Sequence, residues 1–247
     1  MKPVDAHCHV YFDQFSEDRD KVLERAKGEL EFIGLPGVNP DTNQKVINLS
    51  EKHGEFVSPH LGLHPVYTDS FSQIEEVKKQ IREQDPDAIG EIGLDHHHVT
   101  DEAMREKQEK VFRQLLELAE NLGKTVVVHS REAEDRAVEI INQYNLSDVF
   151  MHCFNGSPEL AEKAAVSGMK IGATTQVLYS GRVENTVERL ELEDMILETD
   201  SPYLYRGDRN EPVNVVESAK KIAEIKNSDR EEVISKTTEN SREIFHR

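Results

Sequence analysis

Eight short apolar runs alternate with longer amphipathic stretches from one end of this chain to the other, and no other feature constrains its fold as much. The runs lie at residues 3–6, 30–38, 56–63, 88–92, 125–128, 149–151, 169–173 and 195–197. Runs of this length read as buried strands, and the stretches between them carry helical spacing. Within 102–122, Met104, Val111, Leu115, Leu118 and Leu122 recur on one helical face. Further helices are expected at 42–52, 73–82, 131–143, 158–167 and 186–190, and two more, 212–226 and 230–245, close the chain. Asp41, Ser157 and Asp229 stand where N-caps belong, with Pro158 at a first helical position. Strands alternating with helices imply parallel βαβ units, and eight strands close a barrel. An open doubly wound sheet would also alternate, but no glycine-rich phosphate fingerprint follows the first run. The expectation is an α/β fold, a (β/α)8 TIM barrel, in a single domain over residues 1–247.

No apolar run approaches the roughly 20 residues that cross a bilayer. The start, Met1-Lys2-Pro3-Val4-Asp5, has no hydrophobic signal region. A soluble, cytoplasmic protein without a membrane partner is expected. Cys8 and Cys153 are the only cysteines, too few for a disulfide framework, which suits a reducing compartment. The formal net charge of -18 argues against tight, non-specific attachment to nucleic acid, because that rests on Lys and Arg displacing counterions. It leaves room for an anionic substrate where bound metal inverts the local sign.

Barrel active sites collect where the strands end. The first run ends in Asp5-Ala6-His7-Cys8-His9, the third in Gly62-Leu63-His64-Pro65, and the fourth in Gly90-Glu91-Ile92-Gly93-Leu94-Asp95. The fifth ends in His129-Ser130-Arg131, the sixth in His152-Cys153-Phe154, and the eighth in Glu198-Thr199-Asp200-Ser201-Pro202. Nearly every exit carries a metal-ligand residue type, and that concentration outweighs any single motif. His7 and His9, two apart on a strand, face the same side, with Cys8 turned away. Together with Glu91, His129, His152 and Asp200 they form a candidate two-metal site of imidazole nitrogens and carboxylate oxygens. A single carboxylate can bridge two ions about 3.5–4 Å apart.

Nucleophile schemes fit less well. Ser130 and Ser201 lie in no Gly-x-Ser-x-Gly elbow, and no Cys-x-x-Cys or phosphate loop occurs. Cys8 and Cys153 read as packing. Glu198 should share the inward face with Asp200 one layer deeper and needs a partner, for which Arg131 is a candidate; Arg131 equally suits a substrate phosphate. Asp95 is placed to orient a ligand imidazole from behind. The run His96-His97-His98 reads as a polar loop or substrate-facing lip, and His53, His60 and His246 as surface or packing residues.

With these motifs in order, the chain resembles the TatD family of metal-dependent deoxyribonucleases, within the amidohydrolase superfamily of barrels. The likeness runs from Asp5-Ala6-His7-Cys8-His9 to Thr199-Asp200-Ser201-Pro202 and on to the segment 240–245, essentially the whole chain. The resemblance implies that His7, His9 and Asp200 hold one divalent ion and His129 and His152 a second, with Glu91 between them. Glu91 takes the place where many superfamily members use a modified lysine. His64 and Arg131 match positions near the site and imply substrate or supporting roles. One departure is His96-His97-His98, where the family commonly carries an aromatic-rich stretch.

The expected activity is that of a hydrolase that cleaves phosphodiesters through metal-activated water. Asp200 would orient the water or take its proton, with Glu91 as the second catalytic carboxylate. Two divalent ions are expected, of Zn, Mg, Mn or Co. The resemblance implies single-stranded DNA ends as substrate, cut in the 3′-5′ direction; the acidic net charge implies that they are weakly bound, and a monomer is slightly favoured. The residues alone leave open an amide or ester hydrolase, an aminoacyl-tRNA deacylase included, and a small-nucleotide phosphodiesterase. A non-catalytic binding module is the reading from another class, marked by missing ligands; here all six are present.

Overall fold

Seven parallel strands follow one another around a curled sheet in the computed structural model, which describes residues 1–246. They are β1 (Ile33–Pro36), β2 (Val57–Leu61), β3 (Ala88–Asp95), β4 (Thr125–Arg131), β5 (Val149–Met151), β6 (Lys170–Ala173) and β7 (Met195–Leu197), hydrogen-bonded in that order. Before, between and after them run α1 (Arg19–Glu29), α2 (Pro40–His53), α3 (Ile74–Gln84), α4 (Glu102–Leu122), α5 (Glu134–Ile141), α6 (Pro158–Val166), α7 (Gly181–Arg189), α8 (Val215–Lys226) and α9 (Arg230–Ile244).

The run at 3–6 does not form the expected strand. Its extension makes only isolated parallel bridges, Asp5 with Ile33 and Cys8 with Ser201. Even so, it touches both sheet edges. Gly34 N donates to Asp5 O at 2.8 Å and Cys8 N to Gly34 O at 3.0 Å on one side. On the other, Ala6 N donates to Leu197 O at 3.0 Å and His9 N to Ser201 O at 2.7 Å. A ladder fails because β7 is three residues long and the chain turns at Asp200, in the left-handed region at φ +54°.

Other differences have local causes. Helix α1 escaped the periodicity because only Val22, Leu23 and Ala26 turn inward. The cap of α2 is Asn39, not Asp41. Its side chain accepts from Thr42 N while Thr42 Oγ1 accepts from Asn39 N, a reciprocal box with Pro40 just inside. Ser157 caps α6 as its sequence implies, accepting from Leu160 N, whereas Asp229 precedes α9 without a side-chain cap bond. Arg131 belongs to β4, so α5 starts later, at Glu134.

The core has two parts. Most buried apolar side chains pack between the sheet and its helices, Cys8 among them. A smaller cluster of Val4, Ala6, Phe32, Ala88, Val127, Phe150 and Ile196 fills the inside of the curl, floored by Ile244 and Phe245 at the end of α9. With that end plugged by hydrocarbon, polar side chains on the inward face gather at the strand exits.

Candidate active site

Glu91 lies at the centre of the polar end, 2% exposed. The β3–β4 register shifts between Ile89 and Ile92, a bulge that turns Glu91 inward while Ile89 and Ile92 both pack in the outer core. Bulges next to functional sites commonly re-aim one side chain in this way. The Gly90–Glu91 peptide within it is cis, and Glu91 N donates to Gly37 O at 3.0 Å.

The two oxygens of Glu91 face different histidines. Oε2 lies 3.4 Å from His7 Nε2 and 3.7 Å from His9 Nε2. Oε1 lies 2.9 Å from His129 Nδ1, 3.1 Å from His64 Nε2 and 3.8 Å from His152 Nε2. Asp200 Oδ1 stands 3.4 Å from His9 Nε2 and 3.8 Å from His152 Nε2. The rings of His7 and His152 stack with centroids 3.4 Å apart. All six residues named as candidate ligands from the sequence therefore converge.

His7 Nε2, His9 Nε2 and Asp200 Oδ1, the three named together for one ion, lie 3.2–3.9 Å from one another, and further donors come together around them. Donor atoms within 4.8 Å of one another occur in the sets His7-His9-Glu91, His64-Glu91-His129, His152-Cys153-Asp200 and His7-His152-Glu198. His129 thus shares a set with His64 instead of His152, whose ring centroid is 6.4 Å away. Cys153, read as packing, brings its thiol to the site's edge from a left-handed backbone position at φ +45°.

Groups behind the histidines set which nitrogen carries a proton. Tyr11 Oη donates to Pro36 O at 2.6 Å and so accepts from His9 Nδ1 at 3.0 Å. Asp95 Oδ2 accepts from His129 Nε2 at 2.9 Å, and Glu198 Oε2 from His152 Nδ1 at 2.5 Å. In each case the remaining ring nitrogen presents its lone pair inward, towards carboxylate oxygen. Lone pairs facing carboxylates repel unless a proton or a cation lies between them, so this donor set fits divalent cations. His7 Nδ1, fully buried, has no hydrogen-bond partner among the described residues.

Electrostatics without a cation follow the same logic. Burial, with the His152 ring beside it, pushes His7 down to about 3. Burial also works against charge on His129 and His152, yet Asp95 and Glu91 lift the first to about 9 and Glu198 with Asp200 the second to about 10. For Glu91 burial would raise the pKa, but His64, His129 and His7 outweigh it and hold the carboxyl well below its usual range. Asp200 is likewise held low against burial by His9 and His152.

Arg131 is not the partner of Glu198. Its side chain is exposed at the end of β4, while Glu198, fully buried, bonds His152 and the backbone N of Cys153 at 2.7 Å. Asp95 lies behind His129, and it also binds His98 through Nδ1 at 2.9 Å and N at 2.7 Å. His97 pairs with Glu132 at 2.7 Å, so the triple-histidine run forms a rim whose last member reaches Asp95. Sequence reasoning passed over Tyr11 and Phe12. The signal was there for Tyr11, which continues the two-residue alternation of His7 and His9; Phe12 stacks on His9 with centroids 4.6 Å apart.

The model of the TatD related DNases matches residues 4–246. An uncharacterised metal-dependent hydrolase of Methanocaldococcus jannaschii is 36% identical, with 100% of this chain and 98% of that protein covered. The 3′-5′ ssDNA/RNA exonuclease TatD of Erwinia tasmaniensis is 28% identical, covering 94% of this chain and 95% of its own. Among solved structures, the TatD homologue YJJV of Escherichia coli superposes with a TM-score of 0.88 at 26% identity, covering 99% of this chain and 98% of that one.

Proposed function

The chain belongs to the family of TatD related DNases, metal-dependent hydrolases, and from that premise we propose that it shortens single-stranded DNA from the 3′ end by hydrolysing phosphodiester bonds. The observation that carries this reading is Glu91, whose Oε2 faces His7 and His9 while Oε1 faces His129, His64 and His152. That division suits one carboxylate shared by two divalent ions. His7, His9 and Asp200 would hold one, and His129 the other, with His64 and His152 in reach of it. Such ions supply a Lewis acid for the phosphoryl oxygens and a lowered pKa for the attacking water.

This chain's own groups do the rest. Asp200, anionic and with 16% of its side chain exposed towards the opening, accepts a proton from the attacking water. Asp95 and Glu198 hold His129 and His152 in the tautomers that keep lone pairs inward. Arg131, exposed at the rim, is free to meet a substrate phosphate.

We read residues 5–9 as the eighth stave of a (β/α)8 barrel and the chain as one domain, since that segment bonds to both β1 and the exit of β7. The two free thiols suit a reducing cytoplasm. Among the described residues no helix is long and apolar enough to cross a membrane.

The test is cleavage of 3′-labelled and 5′-labelled single-stranded oligonucleotides by protein stripped of metal and resupplied with Mg, Mn, Co or Zn. Metal-dependent shortening from the 3′ end is expected, reduced about 10²–10⁴-fold by Asp200→Ala and lost with Glu91→Ala. Intact oligonucleotides with every metal would overturn the nuclease reading.

A further inference from the structure

Beside the carboxylate cluster lies an open cavity of about 680 Å³ that none of the residues above account for. Its wall is the loop following Asp200, with Tyr203, Tyr205 and Arg206, together with Tyr179 from the segment after β6. Six large apolar side chains are exposed among the described residues, and three are tyrosines: Tyr67, Tyr179 and Tyr203. All three follow strand exits, so they surround the site instead of being scattered over the surface.

The main chain of Tyr203 is tied down although its ring is exposed. Tyr203 N donates to Asp200 O at 2.9 Å. Asn210, fully buried, donates through Nδ2 to Tyr203 O at 2.8 Å, Thr199 O at 3.0 Å and Thr175 Oγ1 at 2.9 Å. Tyr203 thus presents a half-exposed ring from a main chain clamped at both ends, which lowers the entropy cost of binding on it. Phe12 joins it to the site: its ring lies 6.3 Å from Tyr203 on one side and stacks on His9 on the other.

The charges of this wall do not suit a phosphate pocket. Arg209 is held by Asp18 at 2.7 Å and Glu211 at 3.0 Å. Arg206 is the wall's only cation without a carboxylate partner among the described residues; it donates to Leu178 O at 2.8 Å from the tip of the turn closed by Tyr205 and Asp208, and Asp208 stands two residues away. In a chain of net charge -18, binding of a nucleic acid must draw on something besides counterion release. Planar tyrosine faces offer that, since every base has a face to stack.

We propose that this cavity is a nucleobase subsite, in which the base next to the scissile phosphate stacks on Tyr203, with Tyr179 lining the same pocket. The inference rests on the nuclease reading for the identity of the phosphate but not for the stacking itself.

Two measurements test it. In the first, the metal-loaded protein cleaves an oligothymidylate or an oligomer of equal length with tetrahydrofuran abasic residues. The unaltered protein should favour the base-bearing strand; Tyr203→Ala should raise KM for it by roughly 5- to 100-fold with little change in kcat and lose the preference, and Tyr203→Trp should restore it. In the second, fluorescence of Tyr203→Trp is followed, because the chain has no other tryptophan. Phosphorothioate oligothymidylate should quench that indole and the abasic oligomer should not. Base-dependent quenching without cleavage would keep the subsite and overturn the nuclease reading. Cleavage with an unchanged KM in Tyr203→Ala, or quenching that is absent or indifferent to the base, would overturn the subsite and leave the nuclease reading standing.

Discussion

Glu198 holds the His152 ring through a 2.5 Å hydrogen bond from Nδ1, across 46 residues of sequence. Gly172, on the neighbouring strand β6, makes the room: a Cβ there would collide with Glu198 Oε1. Glu198→Gln keeps an acceptor but removes the charge, and Gly172→Ala displaces the carboxylate. Both should weaken metal binding about 10- to 100-fold, read by calorimetric titration of the stripped protein. Unchanged affinity in both variants would refute the role given to Glu198.

Metal removal should destabilise the whole chain. Without the cation, protons on His129 and His152 must take its place against the carboxylates while His7 stays neutral, and binding linkage gives about 2.7 kcal/mol at a hundredfold excess over Kd. For a chain of this size the melting temperature should fall by roughly 5–11 °C on chelation. Scanning calorimetry with and without chelator checks it, and Glu91→Ala should show little of the shift.

Phe245 tests the opposite end of the curl. It is 1% exposed, packs against His60 with centroids 4.6 Å apart, and floors the inner cluster. Phe245→Ala should cost about 3–5 kcal/mol of stability in urea unfolding. Metal affinity should stay close to that of the unaltered protein, because the candidate ligands lie at the strand exits.

Acid stability should depend on Glu109, which joins α4 to Arg136 in α5. Burial acts to raise its pKa, but hydrogen bonds from Arg136 and Arg113 outweigh that and hold it below 4.5. A lowered folded pKa contributes stability that is complete above the unfolded value and lost as pH falls through the folded one. The stability difference between the unaltered protein and Glu109→Gln should therefore shrink as unfolding is followed from about pH 6 to well below the ordinary glutamate pKa of about 4.3.

Most of the order of strands and helices, and the donor side chains that gather at the strand exits, are legible along the chain. Helical spacing placed α4 at residues 102–122 to the residue, and strand alternation put His7 and His9 on one face with Cys8 on the other. Both follow from periodicities set by neighbours a few positions apart, so they can be read along a single chain. Parallel topology then sends every exit to the same end, which is why donor residues from distant exits belong together.

Tertiary structure alone decided how those residues pair. Strict alternation from Ile89 does not reveal the bulge that turns Glu91 inward, nor which of its oxygens each histidine meets. By charge alone Arg131 suited Glu198, yet that side chain is exposed at the very end of β4, and β5, β6 and β7 bring His152 within hydrogen-bond reach of Glu198 instead. Such contacts depend on register and twist between strands, and on space such as Gly172 leaves. None of these is encoded in the local pattern of apolar and polar residues.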